Sequence, residues 1–395
     1  MFYAQKLLLS CMVCLPLCLL SGCWSSIELN NRAFARLLLI DKSDKGIELT
    51  IGFPLPNRLS AGKPGGGGET GGKSSQPFTY VTKIGKDLDE AYDKIQLDLS
   101  RRITFGQTRN ILLGQEFAQS GITPVIDFFA RESALHINAN LYVTEGKALR
   151  FADIPVTFER FPTDILSAYA KQKITVTTTI KDTLMSIYNG GDMVLPMLVF
   201  GKNGAEREEK RKNWVGVNKA AILKQGKMVS ALNMKEMRSA LLILGGVREV
   251  EFDVASPSDS KEVRVLVRDI ITKVKPRING DQVSLLIDCK AKALVLSTNS
   301  NMDVTDSKQL SKLEESLDKE IQNNIAQLIS KSKSVQADPF QFSNYLKWRY
   351  PQKWQSIKTD WRERYATVVE VDPLVHITIK WFGAVKKPEW NQILK

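Results

Sequence analysis

Few residues of this 395-residue chain have types and spacings suited to chemistry, and the first such set is Leu20-Ser21-Gly22-Cys23. It closes an apolar run from Leu7 to Leu20 that begins just after Lys6. A lone lysine, a short apolar stretch and small residues before a cleavage point have the form of an export signal, too short for a membrane span. Here the small residues end on a thiol, a nucleophile that can take a lipid, and the tetrad resembles the bacterial lipobox. The spelling predicts cleavage before Cys23, acylation of Cys23 and export of a chain still tied to a bilayer. One acyl chain binds only marginally, with K of about 10⁴ M⁻¹, whereas two or more hold stably. An ordinary signal peptide with a bystander cysteine is the alternative; position, flank and small residues favour the lipobox.

A second set, Gly67-Gly68-Glu69-Thr70-Gly71-Gly72-Lys73-Ser74, satisfies G-x-x-x-x-G-K-[ST], the spelling of a phosphate-cradling loop. That chemistry needs a buried strand leading in and a helix leading out, so that backbone amides face the phosphates. Asn57 to Pro64 is no buried strand, and Ser75 to Val81 opens no helix. The tract from Leu59 to Gln76 reads instead as a flexible loop rich in glycine and serine. No cofactor is expected.

Thiols and imidazoles form the third set. Cys11, Cys14 and Cys18 lie in the segment expected to be removed, so Cys11-Met12-Val13-Cys14 is a CxxC in spelling alone. Taking residues 1–22 from 395 leaves 373, with Cys289 the one free thiol beside Cys23. Stability must then come from the core, without a disulfide framework. Cys289 shares the apolar face of a period-two strand with Val283, Leu285 and Ile287, which predicts a buried structural cysteine rather than a nucleophile. His136 and His376 are the only histidines, both on the polar side of expected strands, and neither H-E-x-x-H nor G-x-S-x-G occurs. A wall hydrolase would have to draw a carboxylate pair from the 43 acids. Trp348, Tyr350, Trp354 and Trp361 could line a pocket, though burial in a core is the commoner use of aromatics.

The elements that must position these residues follow from periodicity. A chain of this length exceeds one core and implies two or three domains. The expected division is a signal at 1–22, an N-terminal α/β region at 23–200, a linker or exposed hairpin at 201–213 and a C-terminal α+β domain at 214–395. In the first region, Arg36 to Ile40 and Ile47 to Ile51 read as strands about a tight turn, and Phe78 to Val81 as a third. Lys86 to Ser100 reads as an amphipathic helix. A short buried strand at Arg109 to Leu113, a helix at Val125 to Arg131, a strand at Ile137 to Val143 and a helix within Asp164 to Gln172 come next. Past the linker, a hairpin turns at Lys224 to Lys227, a helix spans Met234 to Leu244, and three period-two strands cover Val250 to Val254, Val263 to Val267 and Val283 to Cys289. Leu310, Leu313, Leu317, Ile321, Ile325, Leu328 and Ile329 make one face of a long helix, which should cover the antiparallel sheet. Val375 to Trp381 should join it as a last strand. The fold class is α+β: mixed sheets with packed helices.

Hydrophobic residues make up 43% of the chain, as in a globular protein. Formal net charge is +12, of which Lys6 carries one, leaving +11 after the signal. The cations are scattered: they could favour anionic headgroups or wall polymers next to the anchor, but a merely solvated basic surface is the preferred reading. An exported chain without a basic and aromatic RNA-binding signature is no candidate for nucleic acid.

Gly22-Cys23-Trp24 with Glu28-Leu29 is similar to the mature start of the Ger(x)C family of spore germination lipoproteins, the C subunits of germinant receptors. Ile40-Asp41, Ser100-Arg101-Arg102, Asn110 to Ala118 and Asp127-Phe128-Phe129-Ala130-Arg131-Glu132 keep the family order. So do Gln336-Ala337-Asp338-Pro339-Phe340, Tyr350-Pro351, Trp354 and Trp361. Ser25 stands where an acidic residue is common, and Pro339 interrupts an Asp-hydrophobic-Phe pattern. The glycine-rich tract looks like an insertion. The resemblance implies a three-domain mixed fold and a non-enzymatic subunit on the outer face of the spore inner membrane. Its implied partners are the integral membrane A and B subunits of a germinant receptor. Only the acylated cysteine carries over as a site residue, onto Cys23. A solute-binding lipoprotein that captures the germinant itself is the competing class.

Overall fold

The computed structural model describes residues 28–55, 78–131, 135–155, 161–203 and 212–381, with Tyr3 and Glu159 besides. After a short strand β1 (Arg32–Phe34), the run Leu37 to Ile40 is buried on both sides, as a central strand requires. It forms β2 (Leu37–Ser43), which turns into β3 (Gly46–Pro54) at the expected place. Gly46 sits at φ +124, and a Cβ there would meet the Gly85 carbonyl oxygen at 2.2 Å, so only glycine fits. β4 (Phe78–Gly85) pairs with β3, and α1 (Leu88–Leu97) lays Leu88, Ala91 and Ile95 on the sheet. Asp87 caps α1 by accepting from the Glu90 N–H.

β5 (Arg102–Thr104) pairs with β1, and β6 (Asn110–Gly114) lies parallel to β2. Then come α2 (Gln115–Ser120), α3 (Thr123–Arg131), β7 (Asn140–Thr144), a 3₁₀ turn at Ala148–Asp153, α4 (Pro162–Gln172), α5 (Ile180–Tyr188) and β8 (Met193–Asn203). The strand expected from Ile137 starts only at Asn140. The Ala139 N–H bonds back to the His136 carbonyl, and this turn leaves Ile137 exposed.

β9 (Lys212–Lys224) and β10 (Lys227–Leu232) complete an eight-stranded sheet of order β10-β9-β8-β7-β6-β2-β3-β4. Its two faces carry separate cores, one containing Leu38, Ile40, Ile111 and Leu141, the other Leu37, Leu39, Leu112 and Tyr142. The segment 201–213, expected as a linker or exposed hairpin, joins strands that pair out to Asn203↔Lys212, and 204–211 lie outside the described residues. The first sheet thus takes two strands from beyond it.

α6 (Met234–Leu244), opened by the Asn233/Glu236 capping box, leads to the second large sheet. That sheet has the order β11 (Glu249–Ala255), β12 (Glu262–Asn279), β13 (Gln282–Thr298), β14 (Glu370–Trp381). It is antiparallel across β11 to β13, whereas β14 joins β13 parallel. The chain crosses between them through α7 (Ser307–Ser334), α8 (Phe342–Arg349), α9 (Pro351–Ile357) and α10 (Trp361–Thr367), and a crossover of that length brings a strand back parallel.

α7 buries Leu313, Leu317, Ile321, Ile325 and Leu328 in one core with Val265, Leu285, Ile287 and Ile377. It also closes the sheet edge. Asp318 accepts the Ile377 N–H at 2.8 Å and Glu314 the Ile379 N–H at 2.7 Å. Carboxylates one turn apart on a helix match N–H groups two residues apart on a strand, so this edge is partly satisfied rather than open.

Candidate functional site

Asp338 follows α7 and is buried. Its Oδ1 accepts the Phe342 N–H at 2.9 Å, and its Oδ2 accepts the Ser343 N–H and the Trp361 Nε1–H, each at 2.9 Å. Burial pushes its carboxyl pKa up, while the three donors pull it down less strongly. The Asp338 N–H in turn donates to Asp192 Oδ2 at 2.9 Å, across the divide between the two large sheets.

Asp192, just before β8, is also buried. Its Oδ1 accepts the Gln225 N–H of the β9–β10 turn at 2.9 Å. Gly191, at φ +85, permits this approach, because a Cβ there would lie 2.9 Å from the Gln225 Cα. Arg362 clasps both Asp192 oxygens, Nε to Oδ2 at 3.1 Å and Nη2 to Oδ1 at 3.0 Å, and donates to the Gly190 carbonyl as well. Gln341 donates to Ser186 Oγ at 2.7 Å, and that hydroxyl donates to the Asp192 carbonyl at 2.6 Å. One polar knot therefore ties α5, β8 and the β9–β10 turn to α8 and α10. With the carboxylate oxygens engaged by N–H donors, its chemistry is positional.

Two clefts flank the knot. One, of about 540 Å³, is polar and includes Asn189, Gln336, Lys358 and Asp360. The other, of about 510 Å³, is more apolar and runs between α5, the end of α6 and α8.

A second knot lies within the first sheet. Asp41 accepts the Ala148 N–H at 2.7 Å and the Leu149 N–H at 2.9 Å, which fixes the 3₁₀ turn over β2. A Cβ on Gly114 would lie 2.0 Å from Asp41 Oδ1. Ile40-Asp41 and Asn110 to Ala118, two stretches that carry the family resemblance, thus meet in space.

Cys23 and Gly67 to Ser74 fall outside the described residues. Cys289 is buried in the second core, and burial pushes its thiol pKa up, away from reactivity. His136 is exposed on the turn before β7, while His376 is exposed on β14, with Nδ1 3.9 Å from Asp318 Oδ2. The structure does not bring the two together. Among the described residues, no three His, Cys, Asp or Glu side chains converge as metal ligands, and no helix is long and apolar enough to cross a membrane. The four aromatics divide. Trp361 is buried with its ring 5.6 Å from that of Trp354, Tyr350 and Trp354 pack against the core, and Trp348 is 72% exposed. Sequence reasoning missed Asp192 and Arg362, which no local pattern marks and which stand 170 positions apart.

Comparison with known proteins adds the family. Residues 25–200 match the "Spore germination protein N-terminal domain" model, and residues 218–383 match "Spore germination B3/ GerAC like, C-terminal". A relative named YfkR from Bacillus subtilis (strain 168) is 25% identical over 97% of this chain and 99% of its own. Spore germination protein KC of the same strain is 23% identical over 98% of each chain, and spore germination protein B3 is 25% identical over 93% of this chain and 96% of its own. The crystal structure of the GerBC protein superposes with a TM-score of 0.56 at 18% identity, covering 88% of this chain and 98% of that one, and shows the same fold. The α+β architecture and two family models laid end to end lead to one conclusion: the chain belongs to the Ger(x)C family of spore germination proteins.

Proposed function

We propose that the chain is a lipid-anchored, non-enzymatic subunit of a spore germinant receptor. It is held by acylated Cys23 on the outer face of the spore inner membrane, with integral membrane A and B subunits as its partners. In that complex it helps couple a small germinant to germination. The observation that carries this reading is the order of features along the chain. A lipobox cysteine at Cys23 is followed directly by the two family regions, 25–200 and 218–383, with little tether between anchor and fold. The Asp192, Asp338 and Arg362 knot, whose groups hold backbone and one another, fits a body that presents surfaces.

Metabolic labelling with a palmitate analogue in a sporulating host tests the anchor. Label should enter the wild-type chain and be absent from Cys23→Ala, with the variant lost from the spore membrane fraction. Equal labelling of the two, or a variant that stays in the membrane, would sink the anchor. Capture of the germinant by this chain alone is the second reading, and the clefts beside the knot are what favour it. Calorimetry of the purified chain with a germinant separates the two, since the subunit reading expects no heat without partners.

A further inference from the structure

The cleft between α5, the end of α6 and α8 is rimmed by apolar side chains in contact with solvent. Met185 is 56% exposed, Leu244 44% and Trp348 72%. The Tyr345 and Trp348 rings, both in the lining, are 5.7 Å apart, so the aromatics of α8 form one border of the cleft. Soluble surfaces seldom gather such side chains, and Trp, Tyr and Met are enriched where proteins dock.

Shape and charge narrow the occupant. The cleft encloses about 510 Å³, a concavity that a convex helix or loop can fill and a planar bilayer cannot. Among the described residues, two charged ones line it, Lys173 and Asp182. The Asp182 carboxylate is held by the Thr179 N–H at 3.0 Å and the Thr179 hydroxyl at 2.7 Å in the capping box of α5. Lys173 has no ion-pair partner among the described residues, so the uncommitted charge of the lining is positive.

Resting on the receptor reading above, we infer that this cleft seats a protein partner: a mainly apolar helix or loop of an integral membrane subunit that brings a carboxylate to Lys173. Burial of the aromatic border supplies affinity, and Lys173 sets orientation.

The test is a photocrosslinker, p-benzoylphenylalanine, placed at Met185 or at Trp348 in the full chain in sporulating cells. Ile271, 61% exposed on β12, is the control position. Light should join both cleft positions, and not Ile271, to an integral membrane protein identified by mass spectrometry. Adding Lys173→Glu should lower that yield at least fivefold, with the unfolding midpoint of the purified variant unchanged because the side chain lies on the surface. Adducts with lipid alone, with a second copy alone, or no adduct while the chain still co-purifies with integral subunits would overturn the cleft and leave the receptor reading standing. Absence of co-purification overturns both.

Discussion

The indole Nε1–H of Trp361 donates to Oδ2 of Asp338 at 2.9 Å, within the interior of the second half of the protein. This bond joins two stretches that carry the family resemblance. Trp361 is thus both a hydrogen-bond donor and a packing element, its ring edge-to-face with Trp354 at 5.6 Å and tilted against Tyr365 at 6.0 Å. Trp361→Phe keeps most of the bulk and removes the donor, which for a bond to a buried carboxylate costs about 1.5–3 kcal/mol. Trp361→Ala also opens a cavity, at about 3–5 kcal/mol. Chemical denaturation of the two variants should show that order; a Trp361→Phe chain as stable as wild type would mean that the bond contributes nothing of its own.

Asp192→Ala should destabilise more than Arg362→Ala. Removing the carboxylate strands the Gln225 and Asp338 N–H groups as well as the guanidinium, whereas removing the arginine leaves those two bonds in place. Breaking a buried ion pair costs about 3–5 kcal/mol, and Arg362, at 30% side-chain exposure against 7% for Asp192, should fall at or below the low end. A double-mutant cycle checks this. Purely additive losses would show that the two do not interact.

Gly114→Ala would drive a methyl group to 2.0 Å from Asp41 Oδ1, in a strand buried along its whole length. The backbone at β6 cannot shift without moving its neighbours β2 and β7, so a loss of about 1–3 kcal/mol is expected. A thermal midpoint equal to wild type would show that Asp41 swings away freely.

Asp318 makes stability depend on pH. Burial pushes its carboxyl from an ordinary 3.8 up to about 6, with the Ile377 N–H and His376 pulling down and Glu314 and Glu315 pushing further up. The folded chain thus holds this proton more tightly than the unfolded chain. Its contribution to stability is full below the unfolded pKa and is lost as pH rises through about 6. Asp318→Asn keeps an oxygen for the Ile377 N–H and carries no charge. It should match wild type near pH 4.5 and melt higher at pH 7.5 by about 2–4 °C, the shift that ~1 kcal/mol gives in a domain of 150–250 residues. A variant less stable than wild type at pH 7.5 would contradict the sign.

What the sequence announces is local. The alternation at Val250 to Val254 and the face of α7 each fix an element within a few residues, because periodicity acts over one or two turns. What it conceals is pairing at a distance. Nothing near β14 states that it returns parallel, since that follows from the route of α7 through α10. Nothing near 201–213 states that β9 and β10 rejoin the first sheet, since a charged run suits a hairpin tip as well as a linker. The Asp192 and Arg362 clasp is hidden for the same reason. Each is an ordinary charged residue until the fold brings it to the other.

The proposed role in a membrane receptor requires this chain to assemble with integral partners. Its most direct test is affinity purification of the tagged full-length protein from detergent-solubilised spore membranes. Two integral membrane proteins should co-purify in constant ratio with it, both lost with Cys23→Ala, and germination of the variant should be impaired. Recovery of the chain alone, with normal germination in Cys23→Ala spores, would contradict it.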